Sequence, residues 1–163
     1  MLDLDTFIRP IAHRGLHNAK KGIVENTLPA FAAAIAKNYG IECDLRPAAG
    51  RVPVVFHDET LERLTAAKGR VADLDAAALK RVKHTIGGAG ISTFAEVLDA
   101  VDGAVPLLVE IKSEWEPPDK KFLNQIAKLA SAYRGPIALM SFDPAVMTMV
   151  RELAPKVPRG IVS

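Results

Sequence analysis

The stretch Ile41-Glu42-Cys43-Asp44-Leu45, followed shortly by Val54-Val55-Phe56-His57-Asp58, decides how the chain is read. Residues two apart in a strand share a face, so Glu42 and Asp44 point one way while Ile41, Cys43 and Leu45 point the other. The apolar set asks for a core beneath it. Two carboxylates held side by side repel unless a cation lies between them. Oxygen ligands at strand spacing suit Mg²⁺ or Ca²⁺ better than zinc, which prefers Cys and His. The second run, joined through a turn at Ala48-Ala49-Gly50, delivers a His-Asp pair at the end of another apolar strand. The pattern therefore points to a metal-dependent site at one mouth of a sheet. A lone Glu-x-Asp means little, because most such pairs are solvated charges on an edge strand. The reading gains weight only if other segments bring matching chemistry to the same mouth.

Outward from this stretch, strand and helix alternate. Phe7 to His13 reads as a short buried strand stopping at Arg14-Gly15. Asn26 or Thr27 caps a helix with Pro29 in its first turn. Leu28, Phe31, Ala32, Ile35, Ala36 and Tyr39 recur along it at helical spacing, and Gly40 closes it. Strands follow at 41–46 and 52–57. Residues 58–92 form a long connection with one short helix, whose apolar stripe is Leu74, Ala78, Leu79 and Val82. Thr93-Phe94-Ala95-Glu96 fits a capping box opening the next helix. Leu107 to Lys112 is a strand with Glu110 and Lys112 on one face. A helix over residues 119–133, a strand over 137–142, a helix opened by Asp143-Pro144 and a strand from Arg159 complete the series. This alternation predicts a parallel α/β sheet, which binds ligands at the carboxyl ends of its strands. His13-Arg14, Glu42/Asp44, His57-Asp58 and Glu110/Lys112 all fall at those ends, and that coincidence carries the functional argument.

Composition narrows the partners. The chain has 163 residues, 49% hydrophobic and 25% charged, with a net charge of +2 from well-mixed acids and bases. No long basic run marks a nucleic-acid or anionic-membrane partner, and no stretch is long and apolar enough for a membrane span. Met1-Leu2-Asp3-Leu4-Asp5 lacks a signal-peptide pattern, so a reducing cytoplasm is the expected compartment. Cys43, the single cysteine, reads as a small buried hydrophobe. His17 reads as a loop or rim residue, and His84 as solvated.

Taken in order, His13-Arg14-Gly15, Glu25-Asn26-Thr27 with Phe31, Glu42-x-Asp44, Val54-Val55-Phe56-His57-Asp58-x-x-Leu61-x-Arg63-x-Thr65, Glu96-Val97-Leu98 and Glu110-Ile111-Lys112 resemble the glycerophosphodiester phosphodiesterases. These are TIM barrels related to phosphatidylinositol-specific phospholipases C. The resemblance implies a (β/α)₈ barrel domain over 1–163, with divalent-metal ligands Glu42, Asp44 and Glu110. It also implies His13 and His57 as general acid and base, with Arg14 and Lys112 on the substrate phosphate. Glu25 and Asn26 reach the site or serve as structure, and Asp58 orients an imidazole or turns the loop.

The implied activity is metal-dependent hydrolysis of a glycerophosphodiester to glycerol 3-phosphate and an alcohol. Water attacks directly, or the neighbouring glycerol hydroxyl attacks first to give a cyclic phosphate. The alternatives are a lysophospholipase D- or sphingomyelinase D-like enzyme, or an inactive barrel that binds metal or partners. A full barrel takes about 250 residues, and about six strands are expected here. The chain is then a fragment, or a second copy or other partner completes the open barrel, or the fold has adapted.

Overall fold

The computed structural model describes residues 4–163; Met1–Asp3, part of the acidic start noted above, lie outside the described residues. Six strands form one sheet: β1 (Ile11–Ala12), β2 (Gly40–Pro47), β3 (Pro53–Val55), β4 (Leu107–Ile111), β5 (Ile137–Ser141) and β6 (Arg159–Ile161). Five of them run parallel in the order β1-β2-β4-β5-β6, and β3 pairs only with β2. Five helices connect them: α1 (Leu28–Ala36), α2 (Ala76–Arg81), α3 (Phe94–Val101), α4 (Lys120–Ala132) and α5 (Pro144–Leu153). Neighbouring parallel strands in chain order, with helices packed on a shared face, make an arc of a (β/α) barrel.

The alternation read in β2 holds. Ile41, Cys43 and Leu45 are fully buried and join Leu107, Val109, Ile111 and Leu139 in one core. Phe31 of α1, Phe94 and Val97 of α3, Phe122 and Ile126 of α4 and Val150 of α5 close over that face. The helices start where local chemistry says they should. Thr93 Oγ1 accepts from Glu96 N at 3.2 Å while a Glu96 carboxylate oxygen accepts from Thr93 N at 2.9 Å. This reciprocal box satisfies two otherwise orphaned N–H groups, a cap contributing about 1 kcal/mol. Asp119 caps α4 through Phe122 N, and Asp143 caps α5 through Ala145 N ahead of Pro144.

Four expectations are corrected. The strand expected over 52–57 is not a parallel stave: β3 is antiparallel to β2, with Leu45 opposite Val55 and Pro47 opposite Pro53. Only residues 48–52 separate the two strands, whereas a parallel crossover takes about a dozen or more. The first strand is confined to two residues, preceded by a 3₁₀ turn over Leu4–Phe7. The helix expected to reach Tyr39 ends at Ala36, because Asn38 turns left-handed (φ 55°) and Gly40 already opens β2. Its buried face is Ala30, Phe31 and Ala34 rather than the stripe through Leu28 and Ala32. His84 is not solvated: it is 3% exposed, its Nδ1 lies 2.6 Å from Ala89 O, and its ring centroid is 6.0 Å from that of Phe56.

The connection over 58–92 builds a second, smaller core. Val54 and Phe56 from the hairpin pack with Leu61, Val71, Leu79 and Ile91. The expected short helix is α2, capped by Asp75. This satellite core anchors the returning arm of the hairpin, and thereby the His-Asp pair at its end.

Candidate active site

Strand register assembles the carboxylates. In the β2–β4 pairing Asp44 lies opposite Glu110, and Glu42 stands two residues before Asp44 on the same face. One oxygen from each of Glu42, Asp44 and Glu110 falls within 4.8 Å of the others, and all three residues are buried. The β1–β2 register sets Ala12 against Ile41, so the next residue, His13, arrives beside Glu42. Its Nε2 lies 3.8 Å from a Glu42 carboxylate oxygen, with the ring 69% exposed.

The turn after β1 is held tightly. Arg14 is left-handed (φ 57°), and its backbone N–H donates to Glu42 Oε2 at 2.9 Å. Gly15 follows at φ 80°, where a Cβ would sit 2.8 Å from Ala30 Cβ, so only glycine lets the turn lie on α1. The Arg14 side chain reaches Glu25 (Nη1 to Oε1, 2.9 Å) and lies 3.4 Å from Asp44.

Asn26, left open between capping and the site, belongs to the site. Its Nδ2 donates to Asp44 Oδ2 at 2.8 Å and its Oδ1 accepts from Asp44 N at 3.2 Å, both buried. The helix N-cap falls to Thr27, whose hydroxyl donates instead to Val24 O.

Lys112 leaves the end of β4 and turns back over the carboxylates. Its Nζ is 2.6 Å from Glu110 Oε1 and 2.9 Å from Asp44 Oδ1. A cleft of about 300 Å³ adjoins it, bordered by Arg46, Ser113 and Glu114.

The hairpin explains the position of His57. β2 runs past Asp44 to Pro47, and β3 returns until Phe56 N donates to Asp44 O at 3.0 Å. The following residue, His57, is thus delivered beside the carboxylate level from an antiparallel arm. Arg46, on the same face of β2 as Glu42 and Asp44, donates through Nε to His57 O at 2.7 Å. His57 Nδ1 lies 2.7 Å from Asp58 Oδ1. The Arg63 hydrogen bond and the His57 ring hold the Asp58 carboxyl at about 2 despite partial burial.

Electrostatics bear on whether a cation fits. Burial, then the charges of Asp44 and Glu110, push Glu42 up to about 7, against the opposing pull of the Arg14 N–H and Lys112. Glu42 Oε1 is buried without a hydrogen-bond partner among the described residues. Asp44 Oδ1 is likewise buried without a hydrogen bond beyond its ion pair with Lys112, and three carboxylates with two such oxygens are an all-oxygen donor set of the kind that hard divalent cations take. Glu42, Asp44 and Glu110 therefore fit such an ion.

His17 stands exposed on the loop after β1. Trp115 is 70% exposed on the loop after β4, in a left-handed conformation (φ 60°) steadied by its N–H on Ser113 Oγ. Arg46 and Arg63 are two further residues at the site that the sequence does not single out. The parity of β2 pointed to Arg46; nothing local marks the long-range reach of Arg63.

The sequence matches the Glycerophosphoryl diester phosphodiesterase family over residues 13–163. It is 31% identical over 170 residues to glycerophosphodiester phosphodiesterase 1 of Bos taurus, covering 95% of this chain and 49% of that one. Against the glycerophosphodiester phosphodiesterase of Caldanaerobacter subterraneus subsp. tengcongensis, identity is 29% over 163 residues, covering 93% and 65%. The crystal structure of the Agrobacterium tumefaciens glycerophosphodiester phosphodiesterase superposes with a TM-score of 0.78 at 25% identity, over 93% of this chain and 65% of that one. An Oleispira antarctica phosphodiesterase, solved with the product sn-glycerol-3-phosphate, shares the fold at a TM-score of 0.84 and 23% identity, over 98% and 68%. The chain thus spans about half to two thirds of the length of these relatives. The motif order, the barrel arc and the match over residues 13–163 together place this chain in the glycerophosphoryl diester phosphodiesterase family.

Proposed function

We propose that the chain carries a divalent-metal-dependent phosphodiesterase site that hydrolyses glycerophosphodiesters to glycerol 3-phosphate and an alcohol. The single observation that supports this most is the buried Glu42/Asp44/Glu110 cluster with His13 Nε2 3.8 Å from a Glu42 carboxylate oxygen. Glu42, Asp44 and Glu110 would hold Mg²⁺ or Ca²⁺. Such an ion would supply charge neutralisation at the phosphoryl oxygens. Arg14 and Lys112 add positive charge on the same face, where it favours a developing phosphorane more than the diester itself.

One imidazole takes the proton of the nucleophile, and the other returns a proton to the leaving alkoxide. His57 is prepared for this by Asp58. An ionised carboxylate only accepts, so the proton between them sits on Nδ1 and the Nε2 lone pair is left for the substrate.

A metal titration coupled to a glycerophosphodiester assay tests the reading. Turnover is expected only with a divalent ion and is expected to fall by roughly 10²–10⁴-fold in His13→Ala. Metal binding with no turnover would leave a binding-only barrel. Substrates lacking the hydroxyl next to the ester separate direct water attack from the cyclic route, because only direct attack continues on them.

One observation favours a second, lipid-directed reading of the lysophospholipase D type. Trp115 and Phe142, 70% and 48% exposed, stand on the loops after β4 and β5. Comparing glycerophosphocholine with lysophosphatidylcholine decides between the two by kcat/KM.

A further inference from the structure

Two catalytic loops that share no strand are tied together by one guanidinium. Arg63 offers Nε and Nη2 to the two oxygens of Asp58, at 2.5 and 3.0 Å. Its Nη1 and Nη2 donate to the two oxygens of Glu25, at 3.1 and 2.7 Å. Glu25 in turn holds Arg14 on the β1 loop, and Asp58 holds His57 on the hairpin. From Arg14 to Asp58 the charges alternate in sign at each step. Burial alone would raise the Glu25 carboxyl; Arg63 and Arg14 instead bring it to about 2.

His57 needs such a strut. It lies on a loop just past β3, and its ring is 30% exposed. Asp58 is 24% exposed and would rotate freely toward water if His57 were its only partner. The fork of Arg63 fixes both of its oxygens, and the second fork on Glu25 fixes Arg63 against the β1 loop. A planar guanidinium with five donors spans two carboxylates in this way. An ammonium, with three donors on one nitrogen, does not.

We propose that Arg63 is the positioning residue that locks Asp58 against His57, with Glu25 as its anchor, and so fixes the imidazole that faces the substrate phosphate. Arg63 touches no reacting atom. Its kinetic consequence rests on the phosphodiesterase reading; its effect on the His57 ring does not.

The test uses the full chain with ¹⁵N-labelled histidine, comparing wild type with Arg63→Gln and Arg63→Lys, and using His57→Ala to assign the His57 resonances. The expected wild-type signature is a downfield, slowly exchanging Nδ1–H on His57, lost in both Arg63 variants while the thermal midpoint stays within a few degrees. Retention of that signal in Arg63→Gln, or its restoration in Arg63→Lys, would overturn the proposal.

On the kinetic side, kcat is expected to fall roughly 10- to 100-fold in both variants, the scale of a small misplacement of a catalytic group. Affinity for Mg²⁺ should stay unchanged. In the His57→Ala background, Arg63→Gln should cost nothing further, and an additive loss there would reduce Arg63 to a general structural role. A wild-type chain that turns over no glycerophosphodiester with any divalent ion would sink the phosphodiesterase reading, and the ring signature would still decide the fate of Arg63.

Discussion

The carboxylates and the imidazoles of this site are built in opposite ways. Glu42, Asp44 and Glu110 sit on adjacent parallel strands, 5%, 0% and 7% exposed, and backbone register alone places them. His13 and His57 sit past strand ends, with side chains 69% and 30% exposed, on a two-residue strand and a hairpin arm. Each relies on contacts from outside its own element. A cation site has to keep several charges close against their mutual repulsion, and a strand ladder supplies that rigidity. A proton-transfer group has to meet a substrate, and a loop supplies access at the expense of order.

The sharpest way to break the comparison is to remove one strand-borne carboxylate of the proposed ion site. Asp44→Asn keeps the volume and the contact with Asn26 Nδ2 but takes away one charge from the cluster. Turnover should fall by roughly 10³-fold or more, about 4 kcal/mol on the barrier, with cation affinity falling in parallel by calorimetry. Unchanged cation affinity would show that the carboxylates form a structural cluster rather than a metal site.

A smaller effect is expected from loosening a ligand while keeping it. Asn26 grips Asp44 at both its carboxylate and its backbone N–H from the β1 loop. Asn26→Ala should lower divalent-cation affinity by about 10- to 100-fold, the usual scale for partners that orient a ligand. Titration of the variant with Mg²⁺ checks this. Loss of turnover at saturating Mg²⁺ with unaltered affinity would place Asn26 on the substrate side instead.

Much of this was legible before the structure, and the misses share a cause. The parity of β2 separates Glu42 and Asp44 from Ile41, Cys43 and Leu45 by covalent geometry alone, so their two faces are readable without the fold. The capping residues Thr93 and Asp143 act within a turn of their own helix and are equally readable. The resemblance groups Glu110 with Glu42 and Asp44, but the pairing of Asp44 directly opposite Glu110 is not readable locally, because register between strands distant in sequence is set by packing.

The hairpin was readable in principle from the short span of residues 48–52, but the apolar run Val54-Val55-Phe56 looks the same in a stave and in a returning arm. His84 looked solvated from its polar neighbours Lys83 and Thr85. Its burial comes from Phe56 and the satellite core, which no local pattern announces. Arg63 reaches Glu25 across 38 positions of chain, so its part in the site belongs to tertiary structure alone.

The loop side of the comparison also predicts the weakest effect, a dependence of stability on acid. Glu25 ionises at about 2 in the folded chain against 4.5 for a free side chain. Its folded pKa is depressed, so the stabilisation is complete above about pH 4.5 and disappears as pH falls toward 2. A shift of that size would correspond to about 3 kcal/mol in a fully shielded pair. Arg63 is 45% exposed, and screening by water brings the expected contribution to about 1 kcal/mol.

Urea unfolding of wild type and Glu25→Gln should therefore differ by about that amount at pH 6, with wild type the more stable. The two curves should converge as pH approaches 2. A gap that persists unchanged at pH 2 would mean that Glu25 stabilises by packing rather than by charge. Arg63 would then be anchored by something other than the ionised carboxylate. In the strand-borne cluster Glu42 acts in the opposite sense: burial and the charges of Asp44 and Glu110 raise its carboxyl to about 7, so its ionisation costs stability as pH rises from about 4.5.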